Sequence, residues 1–268
     1  MIENIDRHVL AGFRCVDAIT SSSIVDALAV DGAPLSLRRN RSGIFAVMDA
    51  PGVDRNKTQV LTPDPASWPG PTSYLITIQD PALRYLARRA SIQVPQPLPA
   101  PVNRAGPPPA TTTTAAGAPA PLPPVNVPQT VVLYPMPSAP VAPNWAVIRA
   151  SVVSNATPAA PLVGAVVQAS APKLFTATGV TNSNGEALLA VPGLGLQLSS
   201  NGSGAVVEST VAATVNAWFD PTLLGQAANW ISNPDDTLSN LSKMKKAAPQ
   251  SVQMAPGQTV YVTLTISL

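Results

Sequence analysis

Charge is scarce in this chain. Asp, Glu, Lys and Arg make up 11% of its 268 residues, against roughly a quarter in an ordinary soluble domain. Aromatic residues are 4%, and there is one histidine and one cysteine. Each shortage excludes something. A lone cysteine, Cys15, leaves no internal disulfide and no cysteine-built zinc site. A lone histidine, His8, would have to serve any Ser-His-Asp triad, and no nucleophile-elbow sequence stands near it. No glycine-rich phosphate loop and no EF-hand pattern is present. A net charge of +2 is too small to recruit nucleic acid or an anionic membrane. The N-terminus, MIENIDRHVLAGFRCVDAIT, lacks the basic region and apolar core of a secretory signal, and no apolar run is long enough to cross a bilayer. The expectation is a chain made in the cytoplasm, with no catalytic residues, no cofactor, no metal and no membrane insertion.

Proline is abundant instead, with 31 residues. Many fall in residues 95–143. Proline fixes φ and has no backbone donor, so such a run suits neither a helix interior nor a central strand. The expected state is an extended, polyproline-like linker with a reach on the order of 100 Å. The chain then divides into residues 1–94, the linker 95–143, and residues 144–268.

In residues 1–94, short apolar runs alternate with turn residues, which predicts strands. Phe13 to Ala18, Leu35 to Arg38, Ile44 to Val47, Tyr74 to Ile78 and Ala90 to Val94 are the candidates. Asn40 and Gly43 tolerate positive φ and mark a hairpin between the second and third. The pattern fits a small antiparallel sandwich or open barrel. Arginines cluster at Arg38, Arg39 and Arg41 in the hairpin and at Arg84, Arg88 and Arg89 before the last strand. They are candidates for an anionic or acidic-protein contact. Against this stands local pairing with Asp80, Asp49 or Asp64.

Residues 144–268 read the same way. Strands are expected over Trp145 to Val152, Pro161 to Ala169, Phe175 to Val180 and Glu186 to Val191. Asn184-Gly185 predicts a hairpin between the last two. Strict alternation in Thr259 to Leu268 puts Val260, Val262, Leu264, Ile266 and Leu268 on one face. Between Ala217 and Lys246 the pattern changes period. Asp220-Pro221 and Asn233-Pro234 each read as an N-cap and first helical position. Leu223, Leu224, Trp230 and Ile231, then Leu238, Leu241 and Met244, recur at helical spacing. A short helical insertion near 220–246 follows. Its apolar side chains either plug the sandwich or contact a partner, with Leu224, Trp230 and Leu241 as candidate contacts. Asp235-Asp236 reads as a pair of helix-start acids.

The Pro-Leu-Val-Gly-Ala-Val-Val run at 161–167, the Val-Thr-Asn-Ser-Asn-Gly-Glu-Ala turn at 180–187 and Pro-Gly-Gln-Thr at 256–259 resemble the carboxypeptidase regulatory-like domain, a prealbumin-like β-sandwich. The first half is similar to a divergent relative, through Val16-Asp17-Ala18-Ile19-Thr20 and a Ser-Gly hairpin at 42–43. The resemblance implies two non-catalytic sandwiches. Together the halves resemble two-domain proteins with regulatory-like folds that are associated with gene clusters for contractile, phage-tail-like particles.

Together these features predict an all-β chain: two small antiparallel β-sandwich domains on a long Pro-rich linker, with a short helical insertion in the second. The expected role is a structural adaptor, present in multiple copies and bound to other protein subunits of a large, released or virion-like particle. The alternative is an exported or cell-surface module for carbohydrate or peptide. Trp68, Trp145, Trp218 and Trp230 form no stripe, which counts against it.

Overall fold

The structure is a computed structural model and describes residues 9–51, 72–94, 127–194, 197–201, 204–208, 210–226 and 231–268. Alternating burial builds the first sandwich. Phe13 and Cys15 of β1 (Ala11–Asp17) point inward, and so do Phe45 and Val47 of β4 (Ile44–Asp49). Facing them are Ile76 and Ile78 of β5 (Thr72–Gln79), and Ala90, Ile92 and Val94 of β6 (Arg88–Val94). The short strands β2 (Ala29–Asp31) and β3 (Ser36–Arg39) complete the set. β3 and β4 form the expected antiparallel hairpin. Asn40 accepts the amides of Ser42 and Ile44 at 2.9 Å, and Gly43 takes φ 78°. Phe13 and Phe45 stand opposite in register and stack, with centroids 4.9 Å apart.

The linker expectation needs correction at its C-terminal end. Residues 129–133 form β7 (Gln129–Leu133), which lies parallel to β1 and completes a sheet of order β3-β4-β1-β7. The opposing sheet runs β2-β5-β6. Gln-Thr-Val-Val-Leu sits between Pro128 and Pro135, so it keeps every backbone donor and presents Val131 and Leu133 to the core. The Gln129 side chain both donates to and accepts from the Gln93 backbone, at 2.9 Å each way. The first domain therefore includes β7 and does not end at residue 94. Residues 95–126 of the expected linker lie outside the described residues.

In the second sandwich, β8 (Ala146–Ser154), β11 (Glu186–Val191) and β17 (Thr259–Ile266) form one sheet of order β11-β8-β17. The other contains β10 (Phe175–Val180), β9 (Val166–Ala171) and β14 (Val211–Phe219), with β15 (Lys245–Lys246) and β16 (Gln250–Met254) both on β14. β12 (Gln197–Asn201) and β13 (Gly204–Glu208) make a separate ribbon. Ile148, Val152, Val167, Leu189, Val215, Phe219, Leu264 and Ile266 are among the core residues.

Two expectations about pairing are corrected here. Asn184-Gly185 does make a tight turn, but β10 pairs with β9 and β11 with β8. The turn carries the chain from one sheet to the other and is not a sheet hairpin. Gly185 takes φ 73°, and a Cβ there would lie 2.6 Å from the Val152 carbonyl oxygen. Second, the pairing is not wholly antiparallel, since β17 runs parallel to β8 as β7 does to β1. On β17, Val262, Leu264 and Ile266 face inward as expected, whereas Leu268 lies past the strand and is exposed.

The two sandwiches share a strand plan. β1 pairs with β4 and β7, and β8 with β11 and β17. β5 pairs with β2 and β6, and β14 with β9 and β16. The third strand differs: β3 pairs with β4, but its counterpart β10 pairs with β9 in the other sheet.

The helical insertion is smaller than its sequence pattern suggests. Asp220 caps a single 3₁₀ turn, Pro221–Leu223, and Gly225 at φ 76° turns the chain away. Residues 227–230, including Trp230, lie outside the described residues. Helix α1 spans Pro234–Ser239, followed by a 3₁₀ turn, Leu241–Lys243. Among the described residues, no helix is long and apolar enough to cross a membrane.

Because β7 follows residues 95–126 but belongs to the first sheet, breaking the chain there should not separate the halves. Residues 1–94 and 127–268, co-expressed as two chains, should elute together in gel filtration. Independent elution would contradict the β1–β7 pairing.

Candidate functional site: the seam between the sandwiches

Arg88 was an expected partner contact, and the structure places it elsewhere. It is 2% exposed, at the start of β6, where the sandwiches meet. Each guanidinium nitrogen has a protein acceptor. Nε donates to the Arg89 carbonyl at 3.1 Å and Nη1 to the Val132 carbonyl at 2.5 Å. Nη2 donates to Asn233 Oδ1 at 3.4 Å and to Asp235 Oδ2 at 2.5 Å. The ring of Tyr134 lies 5.9 Å from the guanidinium carbon. Burial pushes the Tyr134 hydroxyl up from its ordinary value, partly offset by the Arg88 charge. The first-turn acid Asp235 thus meets a cation from the other sandwich. Beside it, the Arg89 amide donates to the Ser232 carbonyl at 2.8 Å.

Apolar contacts widen the seam. Tyr134, Val166 and Val180 pack with Ala18, Leu86, Val132 and Leu238 of α1. A second group joins Val147, Leu188 and Ala190 to Ile19 and to Ala139, Val141 and Trp145 of the connector that follows β7. The insertion therefore touches both sandwiches: Leu223 packs on the core of its own, as the plug reading expected, and α1 also reaches the other half of the chain, which neither expected role anticipated.

The loop leading to Arg88 is braced from below. Asp80 accepts the amides of Ala82 and Arg84 at 3.0 Å and Arg84 Nε at 2.9 Å. Arg84 also pairs with Asp26. Burial alone would raise the Asp80 carboxyl. The Arg84 side chain and the two amides outweigh it and hold the group below its usual range. Tyr85 donates to Asp17 at 2.9 Å, and burial, then that carboxylate, pushes its hydroxyl well up. The loop then holds the connector, with Leu86 N–H on the Tyr134 carbonyl and Met136 N–H on the Arg84 carbonyl, both at 2.8 Å.

The remaining sequence candidates are not gathered into one place. Arg39 is held by the carbonyls of Val25 and Asp26, at 2.7 and 2.6 Å, and lies over Phe45. Arg38 and Arg41 are exposed. Leu224 is 49% exposed, Leu241 is half-buried, and Trp230 is outside the described residues. His8 is outside them too. Cys15 is buried, and desolvation pushes its thiol up to about 12, which makes it unreactive. Among the described residues, no group of His, Cys, Asp and Glu could hold a metal ion. A cleft of about 330 Å³ flanks Arg88, lined by Gln79, Leu86, Tyr134, Val180, Asn182 and Ser232. It brings together no nucleophile and base. What sequence reasoning missed is the Arg88–Asp235 pair. Nothing local to either residue points to the other.

Arg88→Ala should cost about 3 kcal/mol in urea unfolding, since it strands buried carbonyls. Asp235→Asn should cost about 1 kcal/mol, because its side chain is 53% exposed. Equal losses would mean the carboxylate carries the clamp. Asp80 titrates below its unfolded value, so its stabilisation is present above about pH 4 and fades as pH falls through the folded value. Asp80→Asn should lower stability at pH 7 and flatten the acid limb. An unchanged acid limb would remove Asp80 from that role.

No family model matches the chain, and no curated protein matches it. Among solved structures it is similar to GBS52, the minor pilin of the Gram-positive pathogen Streptococcus agalactiae. Identity is 9%, coverage is 96% of this chain and 95% of that one, and the TM-score is 0.24, a likeness that carries no argument.

Proposed function

We propose that this chain is a non-catalytic structural adaptor of a large protein assembly, in which each sandwich contacts a different subunit. The observation that carries the proposal is the seam. Arg88, buried and bound by both halves, fastens two sandwiches of one strand plan into a single piece with two separate faces. A spacer with two free domains would link its anchors loosely, whereas a clamped pair passes position from one anchor to the other. Exposed Arg38 and Arg41 offer donors at the β3–β4 hairpin of the first sandwich, and Leu224 offers an apolar contact on the second. The resemblance of residues 161–167, 180–187 and 256–259 suggests a contractile, phage-tail-like particle as the assembly, with several copies of this chain in each.

Gradient sedimentation of lysate from the native source tests this. The chain should migrate with a large particle. Arg38→Glu/Arg41→Glu and Leu224→Asp variants should keep their melting temperatures and shift to the top of the gradient. A wild-type chain found free, or bound to cells through glycan, would overturn the adaptor in favour of a surface-binding module.

A further inference from the structure

The outer face of the β11-β8-β17 sheet is covered over only part of its length. Val147, Leu188 and Ala190 lie under Ala139, Val141 and Trp145 of the connector. That connector reads Pro-Met-Pro-Ser-Ala-Pro-Val-Ala-Pro over residues 135–143. It is a proline-rich stretch that packs on the sheet, with turns at residues 137–138 and 143–144. Arg149 of β8 donates to the Pro137 carbonyl. Around Ser138 the connector turns, with Ala139 N–H on the Met136 carbonyl at 2.8 Å, and among the described residues Tyr261, Thr263 and Glu186 of this face stay exposed.

Two rungs of the sheet reach the open part, with Tyr261, Thr263 and Glu186 exposed and Arg149 and Ser151 half-buried. In one, Tyr261 stands beside Arg149, and in the next, Thr263, Ser151 and Glu186 stand in line. Tyr261 is 77% exposed, an unusual position for a large ring in a chain so poor in aromatics. With Pro137 these residues line a cleft of about 360 Å³. Its chemistry is a phenol ring, the hydroxyls of Ser138, Ser151 and Thr263, and one charge of each sign, which favours a neutral ligand with carbonyl groups over an anion. An aromatic ring takes the flat side of a pyrrolidine, and side-chain donors take the carbonyls that proline-rich chains leave unpaired. Arg149 already does the latter for Pro137.

We infer that this cleft binds a proline-rich, extended peptide of a partner protein, continuing the track that the connector occupies. Tyr261 packs on a proline of the peptide, and Ser151, Thr263 and Glu186 fix its backbone and register. The pre-extended ligand loses little entropy on binding. The inference is independent of the assembly reading, because binding is measured on the isolated chain.

The test titrates the full chain into a fluorescein-labelled synthetic peptide, PMPSAPVAP, the connector's own sequence, and reads anisotropy. Saturable binding below about 1 mM is expected. Tyr261→Ala should weaken it by about tenfold or more and leave the melting temperature unchanged. Thr263→Lys, which fills the cleft from the solvent side, should abolish it. A peptide with alanine at every proline should not bind. No saturation at millimolar peptide, equal binding of the alanine peptide, or indifference to Tyr261→Ala would each overturn the inference. So would binding seen only after residues 95–126 are replaced by a short Gly-Ser loop, since the occupant would then be this chain's own segment.

Discussion

A guanidinium taken out of water must be bonded on every side or it costs several kcal/mol. Arg88 meets that condition only when both sandwiches are in place. Val132 and Arg89 supply carbonyls from the first, and Asn233 and Asp235 supply oxygens from the second. Either half alone would leave this charge partly unpaired. The relative placement of the halves is thus tied to a specific polar arrangement as well as to apolar contact. Tyr134, Leu86 and Leu238 exclude water around it, which strengthens each bond. The Asp80–Arg84–Asp26 brace below keeps the approach to Arg88 in one conformation.

Each sandwich is also closed in the same way, by setting its last strand parallel to its first. β7 returns beside β1 and β17 beside β8. A parallel pair cannot be joined by a tight turn. The intervening chain must travel through both sheets first, so each domain is complete only when its final strand is laid down. In the first domain β6 and β7, which residues 95–126 separate in sequence, both belong to the same sandwich, and the join between domains is the short connector that starts at Tyr134. That connector is ordered because the loop at 84–86 and Arg149 take its backbone groups.

This arrangement bears on the adaptor role proposed above. Low charge leaves the surface with few strong steering groups. Specific contact then depends on shape and on exposed side chains, among them Tyr261, Leu83, Leu224, Arg38 and Arg41. Tyr261 and Leu224 lie on the second sandwich, and Arg38 and Arg41 on the first. The Arg88 bonds and the apolar seam join the two sandwiches that carry these sets.

Much of the fold was legible from alternation. Phe13, Phe45, Ile76, Val262 and Leu264 face inward because period-two patterning admits one buried face, and the Asn40 to Gly43 turn follows from positive-φ chemistry. Local chemistry also marked Asp220 as a cap. β7 was hidden because proline density around it outweighed five residues of strand pattern. The Asn184-Gly185 turn was read correctly as a turn, but a turn does not specify whether its flanking strands share a sheet. Of the candidate contacts, the exposure of Arg38 and Arg41 fits a hairpin turn, whereas Leu224, read as part of an apolar stripe, is exposed, and the burial of Arg88 was not visible. By itself the sequence determined the all-β class, the inward faces and most strand positions, since these depend on neighbours a few residues apart. Only the tertiary structure decided the parallel closures, the sheet switch of the third strand and the Arg88–Asp235 clamp. Those join residues far apart in the chain, and the free energy that selects them comes from burial shared between both partners.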